Sequence, residues 1–500
     1  MTCKASVFTA SIITLFIISL FQDVYCYYWL HMPPGPWSLP VIGSIHQIDP
    51  KQPHRSFKKL SLKYGGILSI RMGLRDRIVY ITDLDLINKI FFDQRTSDRP
   101  PLNVFKYLTK DIDGIGSSSY GNNFKKQKHL IVNAINTIRN TSAQHKIEKI
   151  MKQYLRRMSE SEGESFDPKE SIIELTCSLF SSLVYGSDYN GFNDPELQTI
   201  ISNHKTVMDC ISPFHPLNIM SLFWWIPNKW LRGFYKCIKD RDIIITRKCY
   251  QTKKINSEDK NHQENIINIL LTEHDIHEKQ DIKNLIMSAW TVFLAGSESV
   301  RSLCLWTLQN LGLYTQMQNR IYHDVQTVVE ENSFPNIQQK HELPYTCAFI
   351  LETMRVCQAN VLGIPHCTSA DIQIDNNVIP KGTMIMLGFW DNLNNSKQWA
   401  EATKFNPDRF LDENNKLIKY QTLNSFIVFG KGHRMCPGSS ITLDLMFLFV
   451  TALVKCFLVE LHLKDGEKID TNGQFSFGLE PSPYKIRLTK RNNINHDNFL

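Results

Sequence analysis

The sequence predicts an α+β fold that is mainly α, a large helical domain with a small β portion, set behind an amino-terminal transmembrane helix. Three observations carry that reading. From about residue 120 to residue 329, apolar positions recur with the 3.6-residue period of a helix, and Pro and Gly are scarce. Short β-like runs stand at 67–72 and 77–82, and the last third mixes one more helical stretch with strands and turns. Residues 5–21 form an apolar run without a charge, preceded by Lys4.

At about 1.5 Å per residue, that run nearly spans a bilayer core of about 30 Å, and Tyr25, Tyr27, Tyr28 and Trp29 extend it with interfacial aromatics. A cleaved signal peptide is the alternative, with Val24 and Cys26 as small residues before the cut. The aromatic flank and the following Pro33-Pro34-Gly35-Pro36 favour a retained anchor. Successive prolines fix their own dihedrals and restrict the residue before them. The chain therefore divides into an anchor at 1–30, a stiff elbow at 31–40 and one globular domain at 41–500, with no second linker and no internal repeat. At 223–230, Phe223, Trp224, Trp225 and Trp230 gather beside Lys229 and Arg232. Either a second membrane contact or a core-facing helix connection suits such a cluster.

With 42% hydrophobic and 21% charged residues over 500 positions, the chain can bury a large core and is not a disordered or fibrous one. The net charge of +7 is small for the length, and Lys and Arg interleave with Asp and Glu, so nucleic acid is not the natural partner. Twelve cysteines lie at irregular intervals, with neither a C-x-x-C pair nor a zinc-like His spacing. Reduced thiols in a cytosolic environment are expected, each to be judged individually.

One of them stands apart. Phe429-Gly430-Lys431-Gly432-His433-Arg434-Met435-Cys436-Pro437-Gly438 precedes an apolar helical stretch at 441–457. A thiolate that binds iron must be deprotonated in an apolar site, which costs several kcal/mol unless a metal and hydrogen-bond donors offset it. A helix start provides such donors; Pro437 has none, so Gly438 and Ser440 must serve. Gly432 and Gly438 permit a turn and a close approach to a flat macrocycle. Arg434 is placed for a bidentate contact to a propionate, and Phe429 to pack beside the sulfur.

These residues resemble the haem-binding signature F-x-x-G-x-R-x-C-x-G of the cytochrome P450 family, from the Pro-rich elbow to the end of the chain. The resemblance implies a cytochrome P450 fold around haem b with Cys436 as the axial ligand of the iron, and O2 as co-substrate. Glu352 and Arg355 match the family's E-x-x-R, and Arg409, within 405–410, its third structural partner. Trp290-Thr291-Val292-Phe293-Leu294-Ala295-Gly296-Ser297-Glu298-Ser299 resembles the helix that crosses the oxygen side of the haem. There Ala295 and Gly296 would let a ligand approach and open the helix locally, while Glu298 and Ser299 would relay protons. Ser299 replaces the family's usual Thr, so looser coupling is expected. Phe124 and Lys128 stand where the family places Trp and Arg on a haem propionate, so that contact should be weaker, with His366 and Arg434 compensating.

The expected function is that of a monooxygenase in the endoplasmic-reticulum membrane with its catalytic domain in the cytosol. Electrons would come from NADPH through NADPH-cytochrome P450 reductase, with cytochrome b5 as a further partner. A basic face of Lys125, Lys126, Lys128, His129, Lys431 and Arg434 would meet the donor. Substrate would lie in an apolar pocket along 293–299, the loop 101–119 and a contact near Val361 and Leu362. The segment 226–229 with Arg241-Asp242 resembles animal steroid hydroxylases, which makes a sterol or other lipid the first guess. Two rivals stay open: an isomerase or dehydratase acting on peroxides, and a haem-binding sensor without turnover.

Overall fold

The computed structural model describes residues 2–491 apart from 41, 74–75, 111, 113, 162, 190, 213, 220, 259–264, 273–278 and 465. The side chains of 5–12 in the expected anchor, and positions 111 and 113 of the loop 101–119, lie outside the described residues. The longest helix, Lys279–Leu313, packs against Lys169–Tyr185 and Ser439–Cys456 in the centre of the helical part. From Ser171 to Tyr185 every residue but Glu174 is buried, as befits a helix that is apolar nearly all round. Ser439–Cys456 is the one helix among the described residues that is long and apolar enough by composition to cross a membrane. Since 83% of it is buried, it belongs to the core.

Four strands form the main sheet in the order Ile67–Met72, Asp76–Ile81, Met384–Leu387, His366–Cys367. The first two make an antiparallel hairpin with Ile67 opposite Ile81, while Asp76–Ile81 and Met384–Leu387 run parallel. Parallel neighbours need a long crossover, and here most of the helical part, though not Ser439–Cys456, is inserted between them. The result carries His366 and Cys367 back beside the segment at 96–99, where Cys367 bridges to Asp98. A separate three-stranded sheet joins Ser165–Phe166, Ile486–Lys490 and Phe457–Leu461.

At the amino end the helix Thr2–Val24 is about 35 Å long at 1.5 Å per residue, with Ile13, Phe16, Ile17 and Phe21 exposed. It does not hang free of the domain. Asp23 pairs with Arg77 at 2.5 Å and with buried Arg71 at 3.7 Å, and accepts from the Ser38 amide at 2.9 Å. The elbow is sewn to the sheet as well: the Ser69 amide donates to Pro34 at 2.9 Å, and a Cβ on Gly35 would meet the Ser69 oxygen at 1.8 Å. At 223–230 the residues divide between the core and the surface. Trp224 is buried, stacks on Tyr107 and donates to the Leu217 carbonyl, whereas Trp225 is 81% exposed.

Candidate active site

The loop before Ser439–Cys456 is closed by the Cys436 amide, which donates to the Phe429 carbonyl at 2.9 Å. Gly430 and Gly432 both take positive φ, and a Cβ on Gly432 would lie 2.1 Å from the Phe91 carbonyl oxygen, so both backbone sign and space demand glycine there. A Cβ on Gly438 would meet nothing closer than Ile441 at 3.9 Å, which leaves an open flank beside the sulfur for a flat group. Burial pushes the Cys436 thiol up; a hydrogen bond from the Gly438 amide and the Lys128 ammonium oppose it. Phe429 packs its ring on Tyr420, 6.2 Å away. Among the cysteines whose side chains are described every one is a free thiol, and all but Cys26 and Cys436 are buried.

Around the loop stand three cations that make no salt bridge among the described residues, Arg99, Lys128 and Arg434, although Asp98 favours the charge of Arg434 from farther off. The Arg434 guanidinium donates to the carbonyls of Ser97 at 2.7 Å, Ile115 at 3.2 Å and Ser118 at 2.5 Å. Burial lowers its pKa to about 10. Arg99 donates to Pro365 at 2.8 Å and Ile364 at 3.0 Å, leaves its buried Nε without a partner, and is pushed down to about 9 by burial and by Arg434. Lys128 donates to the His433 carbonyl at 2.7 Å. Half-buried cations without a salt bridge are costly, and an anionic propionate edge would relieve them, so the donor set fits a haem. Phe124 is not a lost donor only: its ring lies 3.7 Å under the Arg434 guanidinium and holds it flat.

His366 departs from expectation. Its Nδ1 lies 2.8 Å from the Thr96 carbonyl, and burial, then Arg99 and Arg434, lower its pKa to about 3. A neutral imidazole has one N–H, which here goes to Thr96, so His366 as found has none to give a propionate. It buttresses the segment that carries Arg99 instead. Of the expected basic face, Lys125, Lys126 and His129 are exposed, while Lys128 and Arg434 turn inward.

The central helix also differs. Gly296 is not kept small for a ligand: a Cβ there would lie 2.2 Å from the Phe180 ring, so the glycine admits the neighbouring helix Lys169–Tyr185. The helix continues unbroken through this point. Ala295, one position earlier, is exposed. Glu298 and Ser299 have separate partners. The Ser299 hydroxyl donates back to the Ala295 carbonyl at 2.8 Å. Glu298 is 5% exposed and accepts from Arg301 at 2.6 Å, and Arg301 also pairs with Glu480, which Lys169 joins at 3.1 Å. A mixed-charge recess containing these residues, His204 and Asp209 connects Glu298 with the surface.

Glu352, Arg355 and Arg409 do come together. Arg355 makes a two-pronged contact with Glu352 at 2.7 and 2.8 Å, Arg409 reaches the same carboxylate at 3.1 Å, and the Asn406 amide donates to it at 2.8 Å. Glu352 and Arg355 are both fully buried. Val361 and Leu362 belong to the core beneath the main sheet with Phe57 and Tyr80, so they are packing residues rather than pocket wall. Leu108, Phe293 and Leu294 line an apolar cavity, as expected of the loop and the helix.

Two residues escaped sequence reasoning. Arg301 was legible, three positions after Glu298 on one helical face. Arg99 carried no periodic signal; only the fold brings it beside Arg434.

Comparison with known proteins agrees with this geometry. The family model for Cytochrome P450 matches residues 33–488. The chain is 26% identical over 471 residues to the Steroid 17-alpha-hydroxylase/17,20 lyase of Ictalurus punctatus, covering 91% of this chain and 90% of that one. It is 25% identical over 471 residues to Cytochrome P450 2D10 of Rattus norvegicus, 91% of each, and 24% identical over 480 residues to Cytochrome P450 1A1 of Sparus aurata, 92% and 90%. The chain belongs to the cytochrome P450 family and is a monooxygenase that works with haem b, O2 and electrons from NADPH.

Proposed function

We propose that this protein is a membrane-anchored monooxygenase acting on an apolar small molecule, with a sterol or related lipid as first candidate and Cys436 as the ligand of the haem iron. The observation that carries the reading is the Cys436 thiol at a helix start, held by the Gly438 amide and ringed by three cations that make no salt bridge among the described residues. A relative named for steroid hydroxylation supports the substrate class.

When bound, haem supplies the activation of dioxygen and the insertion of one oxygen atom into the substrate. The chain's own residues prepare the site. The Gly438 amide and Lys128 favour the sulfur anion against burial. Arg99, Lys128 and Arg434 hold the anionic edge of the macrocycle, with Phe124 beneath Arg434 and His366 behind Arg99. Ser299 keeps its proton at the Ala295 carbonyl, on the exposed stretch of the helix, and a χ1 rotation frees that proton. Glu298, held by Arg301, stands between the surface recess and the central helix, where it would pass protons inward once it lets go of Arg301, which stays paired with Glu480.

The exposed apolar residues of Thr2–Val24, the aromatics of Tyr25–Trp29 and exposed Trp225 lie in the membrane of the endoplasmic reticulum. Lys125, Lys126 and His129 face an acidic NADPH-cytochrome P450 reductase, with cytochrome b5 as a second donor there, and reduction slows as salt rises. The deciding experiment is the carbon-monoxide difference spectrum of the reduced, haem-loaded protein. The far-shifted Soret band of thiolate ligation is expected, and lost in Cys436→Ser; a folded, haem-loaded protein without that band overturns the proposal.

A further inference from the structure

Residues 22–50 contain Asp23 and Asp49 but neither Lys nor Arg. A helix that leaves a bilayer on its cytosolic side is usually followed by basic residues within roughly 15–20 positions, and the carbonyl end of a helix disfavours an anion such as Asp23. Along the chain alone, the charge at the end of Thr2–Val24 has the wrong sign for its place.

The fold supplies the missing cations from elsewhere. Arg71 and Arg77 stand directly opposite each other in the antiparallel hairpin, where like charges repel unless an anion lies between them. Asp23 is that anion. Burial lowers the pKa of Arg71, and Asp23 opposes the change. Ser19, Gln22 and Asp23 share one helical face, and Arg71 engages all three: besides its 3.7 Å approach to Asp23, it donates to the Ser19 hydroxyl and to Gln22 Oε1, the latter at 2.9 Å. Ser38 closes the ring, its carbonyl accepting from the Ser19 hydroxyl at 3.1 Å and its own hydroxyl donating to Asp23 at 3.2 Å.

Ser19 is 4% exposed, while Ile17, Ile18 and Phe21 around it are exposed, so the helix turns its polar face to the domain and leaves apolar faces for lipid. The Leu39 carbonyl accepts from Arg71 at 3.0 Å, which holds the turn 37–43 beside the helix end with Trp37, Leu39 and Ile42 exposed. A loose tether would leave Arg71, itself 3% exposed, buried without a counter-charge.

We infer that anchor and domain form one rigid body, with Arg71 and Arg77 serving as the basic flank of the helix, and that this clasp seats the turn 37–43 in the interfacial layer of the bilayer. The inference rests on the membrane-anchored reading and adds to it a fixed posture of the domain on the membrane.

The test uses the full-length, haem-loaded protein in phosphatidylcholine vesicles. Polarised photolysis of its carbon-monoxide complex follows the rotation of the haem, and the parent shows a slow decay without a fast segmental component. Chymotrypsin, which cuts after aromatic residues and Leu, frees the domain at Trp37 or Leu39 in proportion to the population with the clasp open. Asp23→Ala and Arg77→Gln each gain the fast component and release the domain about tenfold faster or more, with the parent's carbon-monoxide band retained. Should one variant lose that band, the other carries the test. Lipid brominated on its acyl chains quenches Trp37, read as the difference between the parent and Trp37→Phe, and Asp23→Ala loses that quenching. A fast component already in the parent, variants that rotate and are cut like it, or an unquenched Trp37 overturns the inference. Parent protein stripped from the vesicles by carbonate sinks the anchor reading, whereas parent retained beside variants that behave alike sinks this inference alone.

Discussion

Replacing Glu352 by Gln tests the buried triad with almost no change of shape. The Asn406 amide and Arg409 Nε both donate to Glu352 Oε1 and keep an acceptor in the amide oxygen. Arg355 Nε, which donates to Oε2 at 2.7 Å, then faces an NH2 group and has no acceptor there. Two guanidiniums, one of them fully buried, are left without a counter-charge. Breaking a buried pair in this way costs roughly 3–5 kcal/mol. With an unfolding entropy of about 2.1 cal/mol/K per residue, a chain of this length changes by about 1 kcal/mol per degree, so the melting temperature falls by about 3–5 °C. Calorimetry on the haem-loaded protein reads this directly. Asp408→Asn is the control, since Asp408 is 60% exposed and pairs only across the surface with Arg320; about 0.5 kcal/mol or less is expected. Should Glu352→Gln melt within a degree of the parent, the triad does not hold the core and the reasoning fails.

Gly432→Ala must relieve a 2.1 Å clash with a backbone carbonyl and adopt positive φ, costing about 1–3 kcal/mol in packing and about 1–2 kcal/mol in backbone, whereas Gly438→Ala meets only open space. Melting of the haem-free proteins should separate the two, with only Gly432→Ala destabilised, while haem titration shows both binding more weakly. Ser299→Thr adds a methyl that restricts χ1 and should lower the peroxide formed per NADPH consumed; an unchanged ratio refutes the coupling argument. His54 is fully buried with neither nitrogen partnered, and burial, then Arg55, hold its pKa down to about 4. As the pH falls below about 6.5, the unfolded chain takes up a proton that the folded one refuses, so stability drops by about 1.4 kcal/mol per unit until about pH 4. His54→Phe should make the urea-unfolding free energy less pH-dependent by about 2 kcal/mol between pH 6.5 and 5, and parallel profiles would contradict this.

The α-rich architecture, the hairpin at 67–81, the sulfur loop and the Glu352–Arg355 pair could all be read from the chain, because each depends on neighbours within a few residues. Helical period, strand alternation, glycine φ and an i, i+3 pair are local. So is the choice of Cys436 over the other cysteines, since only it combines glycines, an arginine and a helix start within ten positions. What the residues do to one another across the fold was not legible. Gly296 is small for Phe180, Arg99 joins Arg434 only because 366–367, paired antiparallel with 384–387, bridge back to Asp98, and Glu298 shares Arg301 with Glu480 far along the chain. The composition and order of side chains thus determined the chemistry available, an iron-binding thiolate within an apolar helical globule. Which charges are neutralised, which protons are already engaged and which polar atoms are left bare in the interior depend on long-range packing. That packing is settled by burial and desolvation, which no stretch of sequence carries on its own.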